Sequence, residues 1–124
     1  MNAAIILLAA HFIGDWVLQS RKVATTKSKD FGSMMIHATT IFFSLLVAGV
    51  LLFNSPKALI IFIFGNTLLH ITQDSLVWSF YAVFNTNKPD IKWWEDYWFY
   101  TFIAVDQFVH ISWLFISYYL LLPK

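Results

Sequence analysis

Four hydrophobic runs, at about 2–19, 34–53, 59–82 and 98–122, make up most of the chain. Each approaches the ~20 residues that a helix needs to cross a hydrocarbon core. A spanning backbone must satisfy its own hydrogen bonds, so each run is predicted to be a helix. The first run is short, but Arg21 and Lys22 can extend their stems and let it reach across. Between the runs, SRKVATTKSKDFGS (20–33) is polar and basic, and NSPK (54–57) reads as a tight turn. The third connection, NTNKPDIKWWEDYW (85–98), starts as a turn and becomes aromatic and acidic. Its Trp93, Trp94, Tyr97 and Trp98 suit a short interfacial helix or belt. No Gly/Ser/Pro-rich linker divides the chain. The expectation is one all-α membrane domain over 1–124, a polytopic four-transmembrane-helix bundle.

Basic residues set the expected orientation. Arg21, Lys22, Lys27, Lys29, Lys88 and Lys92 lie in connections one and three, against Lys57 and Lys124 on the other side. That asymmetry places connections one and three in the cytoplasm and both termini outside, in a bacterial plasma (inner) membrane. Composition agrees: the chain is 59% hydrophobic and 12% charged, against about 25% charged in a soluble domain. A net charge of +1 gives no sign of nucleic acid or of an acidic partner. With no cysteine, disulfides, iron–sulfur clusters and thiolate zinc sites are excluded. The N-terminus lacks a basic region ahead of its apolar stretch, which argues against a cleaved signal peptide.

Against this apolar background stand three His/Asp pairs: His11/Asp15, His70/Asp74 and Asp106/His110. A spacing of four puts both members on one helix face, one turn apart. Spans one and three run inward and span four outward, and the order within the pair reverses with direction. Each Asp therefore lies one turn nearer the cytoplasm than its His. His37, the remaining histidine, lies about one turn into span two. Asp15 and His37 are expected roughly 5–6 Å deep and the other five roughly 12–18 Å, so all seven can converge in the cytoplasmic half.

Ionisable groups inside a membrane are costly and by default mark a functional site. One pair alone could be interhelical glue worth only ~0.6–2 kcal/mol, but three pairs and a fourth His at matching depth exceed what glue needs. Thr39, Thr40, Asn66 and Thr67 are read as packing residues. Gln19, Gln73 and Gln107 flank the cluster, and the plainer reading makes them ordinary helix-end amides rather than donors to it. Imidazole and carboxylate are the donor set of Zn, Mn and Fe sites, and seven groups are enough for two divalent ions with a shared carboxylate. Two ions would activate water for phosphoester or amide hydrolysis, with an Asp as general base. The same residues would serve a proton or divalent-metal-ion transporter. Against transport, the outer halves of spans two and three are apolar, LLVAGVLLF and ALIIFIFG. A bis-His haem would leave the carboxylates unexplained.

The ordered motifs H-x3-D-W-x-L-Q (11–19), a basic loop, His37, H-x3-D (70–74) and D-Q-x2-H (106–110) resemble a family of small bacterial and phage four-helix membrane proteins classed as a domain of unknown function. Trp16 stands where that pattern has Phe, a change that touches no chemistry. A looser similarity, to membrane-bound metal-dependent hydrolases, implies metal chemistry by analogy. The expected function is a metal-dependent hydrolase acting on a phosphoester, of a lipid or nucleotide, from the cytoplasmic side. Expected metal ligands are His11, Asp15, His37, His70, Asp74, Asp106 and His110, with Asp15, Asp74 and Asp106 also catalytic. A transporter is the alternative and a structural or interaction membrane factor the third. Expected partners are the bilayer and a small-molecule or lipid substrate; homo-oligomerisation is left open.

Orientation is directly testable in a chain without native cysteine. A cysteine at Ser28 should resist membrane-impermeant maleimide in intact cells, and one at Ser55 should label. The opposite labelling would place the cluster on the outer side.

Overall fold

The structure is a computed structural model that describes residues 2–85 and 95–123. Lys88, Lys92, Trp93, Trp94 and Lys124, used above for the belt and the orientation, lie outside the described residues. The described residues are helical, with no strand among them. Helix α1 (Ala3–Phe12) continues into a π-helical turn (Ile13–Val17), followed by a short α2 (Arg21–Thr26), then α3 (Phe31–Leu52), α4 (Pro56–Asn85) and α5 (Tyr97–Leu121).

Each helix starts where its sequence supplies a cap. Asn2, Ser20, Asp30 and Asp96 accept from the backbone N–H of Ala4, Val23, Ser33 and Trp98 respectively. Ser55 Oγ lies 3.4 Å from Ala58 N, and Pro56 follows as the first helical residue. Such side chains satisfy amides that the first turn leaves free, and proline loses nothing at that position.

Helices α3, α4 and α5 are long and apolar enough to cross a membrane, with 22, 30 and 25 residues, roughly 33–45 Å. Ala3–Val17 is shorter, its 10 α-helical and 5 π-helical residues spanning roughly 22 Å at most. The expected run to residue 19 ends early because Leu18 leaves the helix and Ser20 caps the next one. Part of connection one is itself helical, as α2.

The four longer segments close a ring: α1 packs on α3, α3 on α4, α4 on α5 and α5 on α1. Inside it, Leu7, Ile41, Leu45, Phe62, Ile63 and Leu114 are buried together with Phe53 from the α3–α4 turn. Their exteriors are apolar too, with Phe108 72% and Leu120 73% exposed. Such a surface fits lipid rather than water. In lipid, helix association rests on close packing more than on the hydrophobic effect.

Gly14 shows that packing at its tightest. It lies in the π-helical turn, where the widened backbone leaves its carbonyl free to accept from Thr40 Oγ1 on α3 at 3.1 Å. A Cβ at Gly14 would meet Ser44 Oγ at 3.0 Å and Ile41 Cδ1 at 3.1 Å. One at Gly65 would meet nothing within 4 Å. Gly14→Val should therefore destabilise the detergent-solubilised protein by ~1–3 kcal/mol through overpacking, whereas Gly65→Ala should be neutral or slightly stabilising. Thermal denaturation of the two variants checks this, and equal effects would contradict it.

Candidate metal centre

All seven expected ligands meet inside the ring. His11 and Asp15 come from α1 and its π-helical turn, His37 from α3, His70 and Asp74 from α4, and Asp106 and His110 from α5. Every one is buried, at 5% exposure or less. They form three overlapping groups whose donor atoms lie within 4.8 Å of one another: Asp15–His37–His70–Asp74, His11–Asp15–His110 and Asp74–Asp106–His110. Asp15 and Asp74 each belong to two groups, which makes them the carboxylates able to bridge two ions.

The first group is the most compact. His37 Nε2 lies 2.9 Å from Asp74 Oδ2, 3.0 Å from His70 Nε2 and 3.3 Å from Asp15 Oδ1. His70 Nε2 lies 3.5 Å from Asp15 Oδ1 and 3.7 Å from Asp74 Oδ2. Ligands about 2.0–2.1 Å from a tetrahedral ion would be separated by about 3.3 Å, and these spacings straddle that value. Towards α5, the His70 and His110 rings stack with centroids 3.8 Å apart. His110 Nδ1 lies 3.7 Å from Asp106 Oδ1.

Sequence reading missed Lys27. Counted there as a loop charge, it is buried instead, with Nζ 2.7 Å from Asp74 Oδ2, 3.1 Å from His37 Nε2 and 3.4 Å from Asp15 Oδ1. The local signal was faint: Val23, the apolar residue of a basic segment, stands four before Lys27, so both face the bundle from α2. Lys27 Nζ and His37 Nε2, 2.7 and 2.9 Å from Oδ2, are the nearest partners of the fully buried Asp74.

Two of the three flanking amides do join the site, against the plainer reading. Gln107 Nε2 donates to Asp15 Oδ2 at 2.8 Å and approaches Asp106 Oδ2 at 3.4 Å. Its Oε1 accepts from the Trp16 indole at 3.2 Å and lies 3.0 Å from His11 Nε2. Because an amide oxygen only accepts, His11 Nε2 is the donor of the pair. Trp16, expected to touch no chemistry, thus braces an amide that holds Asp15. Gln73 Nε2 donates to the Asp106 carbonyl at 2.6 Å and carboxylate at 3.2 Å. Gln19 stays outside, its Oε1 without a partner among the described residues.

Beyond the histidines, Asn66 Nδ2 donates to Ser117 Oγ at 2.9 Å, tying α4 to α5 as a packing residue would. A pocket of about 10 Å³, lined in part by His11, His70, His110 and Asn66, matches the space of one water. Below it lies the apolar core. Lys27 covers the cluster on the side away from that core.

Over residues 4–124 the chain matches the family described as "Protein of unknown function (DUF3307)", and it belongs to that family. No curated protein and no solved structure matches it.

The Gln107 bridge makes a specific forecast. Gln107→Leu keeps volume but leaves His11 and Asp15 short of a buried partner, and should cost ~1–3 kcal/mol. Trp16→Phe removes one donor from a half-exposed ring and should cost less than about 1 kcal/mol. Denaturation midpoints of the two variants measure the difference, and the reverse order would refute the bridge.

Proposed function

We propose that this chain is a membrane-embedded, divalent-metal-dependent hydrolase acting on a phosphoester, of a lipid or a nucleotide, from the cytoplasmic side. The observation that carries the reading is the compact Asp15–His37–His70–Asp74 group, whose donor atoms stand at the mutual spacings of a metal's ligand shell. Two features support the fit. The donors are imidazole and carboxylate only, suited to Zn, Mn or Fe. Asp74, wholly buried with Lys27 and His37 as its nearest partners, would be offset more fully by a divalent ion.

Two ions, sharing Asp15 and Asp74, would supply an activated water at neutral pH and charge for both oxygens of a displacement. Around them the chain's own residues divide the work. His37 and His70 would complete one ion's ligands, and His110, which belongs to both other groups, would hold the second with His11 or Asp106. Asp106 belongs to a single group, is oriented by Gln73 and Gln107, and is the best-placed general base. Two divalent ions would outnumber three carboxylates in charge, and Lys27 adds one more positive charge. That surplus favours an anionic substrate and so a phosphoester over an amide.

The absence of a polar path through the other half favours an enzyme over a transporter, because Leu7, Ile41, Leu45, Phe62 and Leu114 fill the ring beyond the pocket. For orientation, Lys27 no longer counts as a loop charge. The remaining basic residues still stand five against two and favour cytoplasmic connections one and three, both termini outside, and four spans. In that arrangement the first span crosses by drawing on local bilayer thinning and the Arg21 and Lys22 stems.

Elemental analysis of the detergent-purified protein should find about two divalent ions per chain, lost in His70→Ala and Asp74→Asn. Asp106→Asn should keep at least one ion while turnover of a phosphoester falls by about 10²-fold or more. Proteoliposomes should show no accompanying ion flux. A folded, metal-free wild type, or robust proton or metal flux with no hydrolysis across a broad phosphoester panel, would overturn the proposal.

A further inference from the structure

Lys27 is the charged group of the cluster that cannot itself ligate a metal while protonated, and it lies where the first ion would sit. Its Nζ is within 3.4 Å of Asp74, His37 and Asp15, three of the four members of the compact group. An ion drawing on the same lone pairs would sit about 2.0–2.2 Å from each, so ion and ammonium compete for one space. An ammonium offers three N–H donors and here has three acceptors around it. Even so, it offsets only one of three buried carboxylates, which leaves the cluster favourable to further positive charge.

Lys27 is the C-cap of an element suited to exchange. Helix α2 has six residues, packs on α3 but on no other helix, and is anchored by Val23 and a Thr26–Ser33 hydroxyl pair at 2.7 Å. Arg21, Lys22, Ala24 and Thr25 are exposed. Shifting it, or turning the flexible lysine stem, withdraws Nζ without disturbing the four-helix ring.

We propose that Lys27 is a tethered cation that fills the Asp15–His37–His70–Asp74 half of the centre until a divalent ion displaces it. Displaced, it becomes the anion-binding group of the loaded centre. This rests on the metal reading above and adds a ligand chemistry, a phosphoryl oxygen held between the metal and a lysine. Lysine binds phosphate as a compact point charge, and a loaded centre with surplus positive charge needs an anion. No group is transferred and no bond is made or broken in the exchange.

The test uses the full-length protein in detergent, titrated with Mn²⁺ alone. Lys27→Met keeps the stem and removes the competitor, and should bind Mn²⁺ about ten-fold tighter or better at unchanged stoichiometry. Independently, acylation of the Lys27 amine in wild type, read by peptide mass, should rise several-fold when Mn²⁺ is added. Mn²⁺-loaded Lys27→Met should bind inorganic phosphate about 10–100-fold more weakly than loaded wild type. Parallel arms with short-chain phosphatidic acid and adenosine monophosphate distinguish a lipid from a soluble source by which wild type binds more tightly. Equal or weaker Mn²⁺ binding by folded Lys27→Met would overturn the exchange. Should that variant not fold, Lys27 acylation in wild type that ignores bound Mn²⁺ overturns it equally. Equal phosphate affinity in the two loaded proteins overturns the anion role. Wild type that takes up no Mn²⁺, Zn²⁺ or Fe²⁺ removes the metal reading and this inference with it.

Discussion

Three carboxylates held away from water inside an apolar ring of helices set the terms for the rest of this protein. An isolated ionised carboxylate in a low-dielectric interior is prohibitively unfavourable, so Asp15, Asp74 and Asp106 are tolerable only with partners. Every helix contributes some: imidazoles from α1, α3, α4 and α5, amides from α4 and α5, and an ammonium from α2. Withdrawing any one element would leave a buried charge short of compensation. The polar cluster thus does what a hydrophobic core cannot do in lipid, where apolar side chains have no preference for protein over acyl chains. It specifies which helices must meet and in what register.

Helix geometry converts that requirement into a site. Pairs four residues apart project two donors from one face, so three such helices deliver six groups to one level. The π-helical turn at Ile13–Val17 falls at Asp15 and frees the Gly14 carbonyl for Thr40. Close contact between α1 and α3 follows, which brings Asp15 within 3.3 Å of His37. Extra-residue turns of this kind are frequent at functional sites. Here the Thr40 hydroxyl stands between the Gly14 carbonyl across the interface, at 3.1 Å, and the His37 carbonyl of its own helix, at 2.7 Å.

Most of the fold was legible because its signals are local. Hydrophobic runs predict three long helices to within a few residues, and the His/Asp spacing predicts the faces that meet. The first segment, expected at about 2–19, is helical over Ala3–Val17, and its end is set by the Ser20 cap of a helix within the basic connection. Lys27 escaped for a related reason. A lysine in a basic stretch looks solvated, and only tertiary folding of α2 onto α3 reveals that its stem reaches 2.7 Å from Asp74. Gln107 and Trp16 were undervalued because an amide or indole acquires a role only through partners on other helices, here 91 to 96 positions apart in sequence. Local pattern names the residues that must be buried together; it does not say what else is drawn in to compensate them.

Hydrogen-bond capacity separates a site from glue. One imidazole nitrogen carries either one N–H or one lone pair, yet His37 Nε2 has Asp74, His70, Lys27 and Asp15 all within 3.3 Å. Pairwise hydrogen bonding through one nitrogen cannot satisfy all four neighbours at once. A centre with several directed positions can satisfy them. An ammonium has three such positions and a tetrahedral divalent ion four, and the compact group presents four ligands. On the proposed metal reading, Lys27 is the poorer occupant of that space, and its tether at the end of α2 would keep it beside an ion that replaced it.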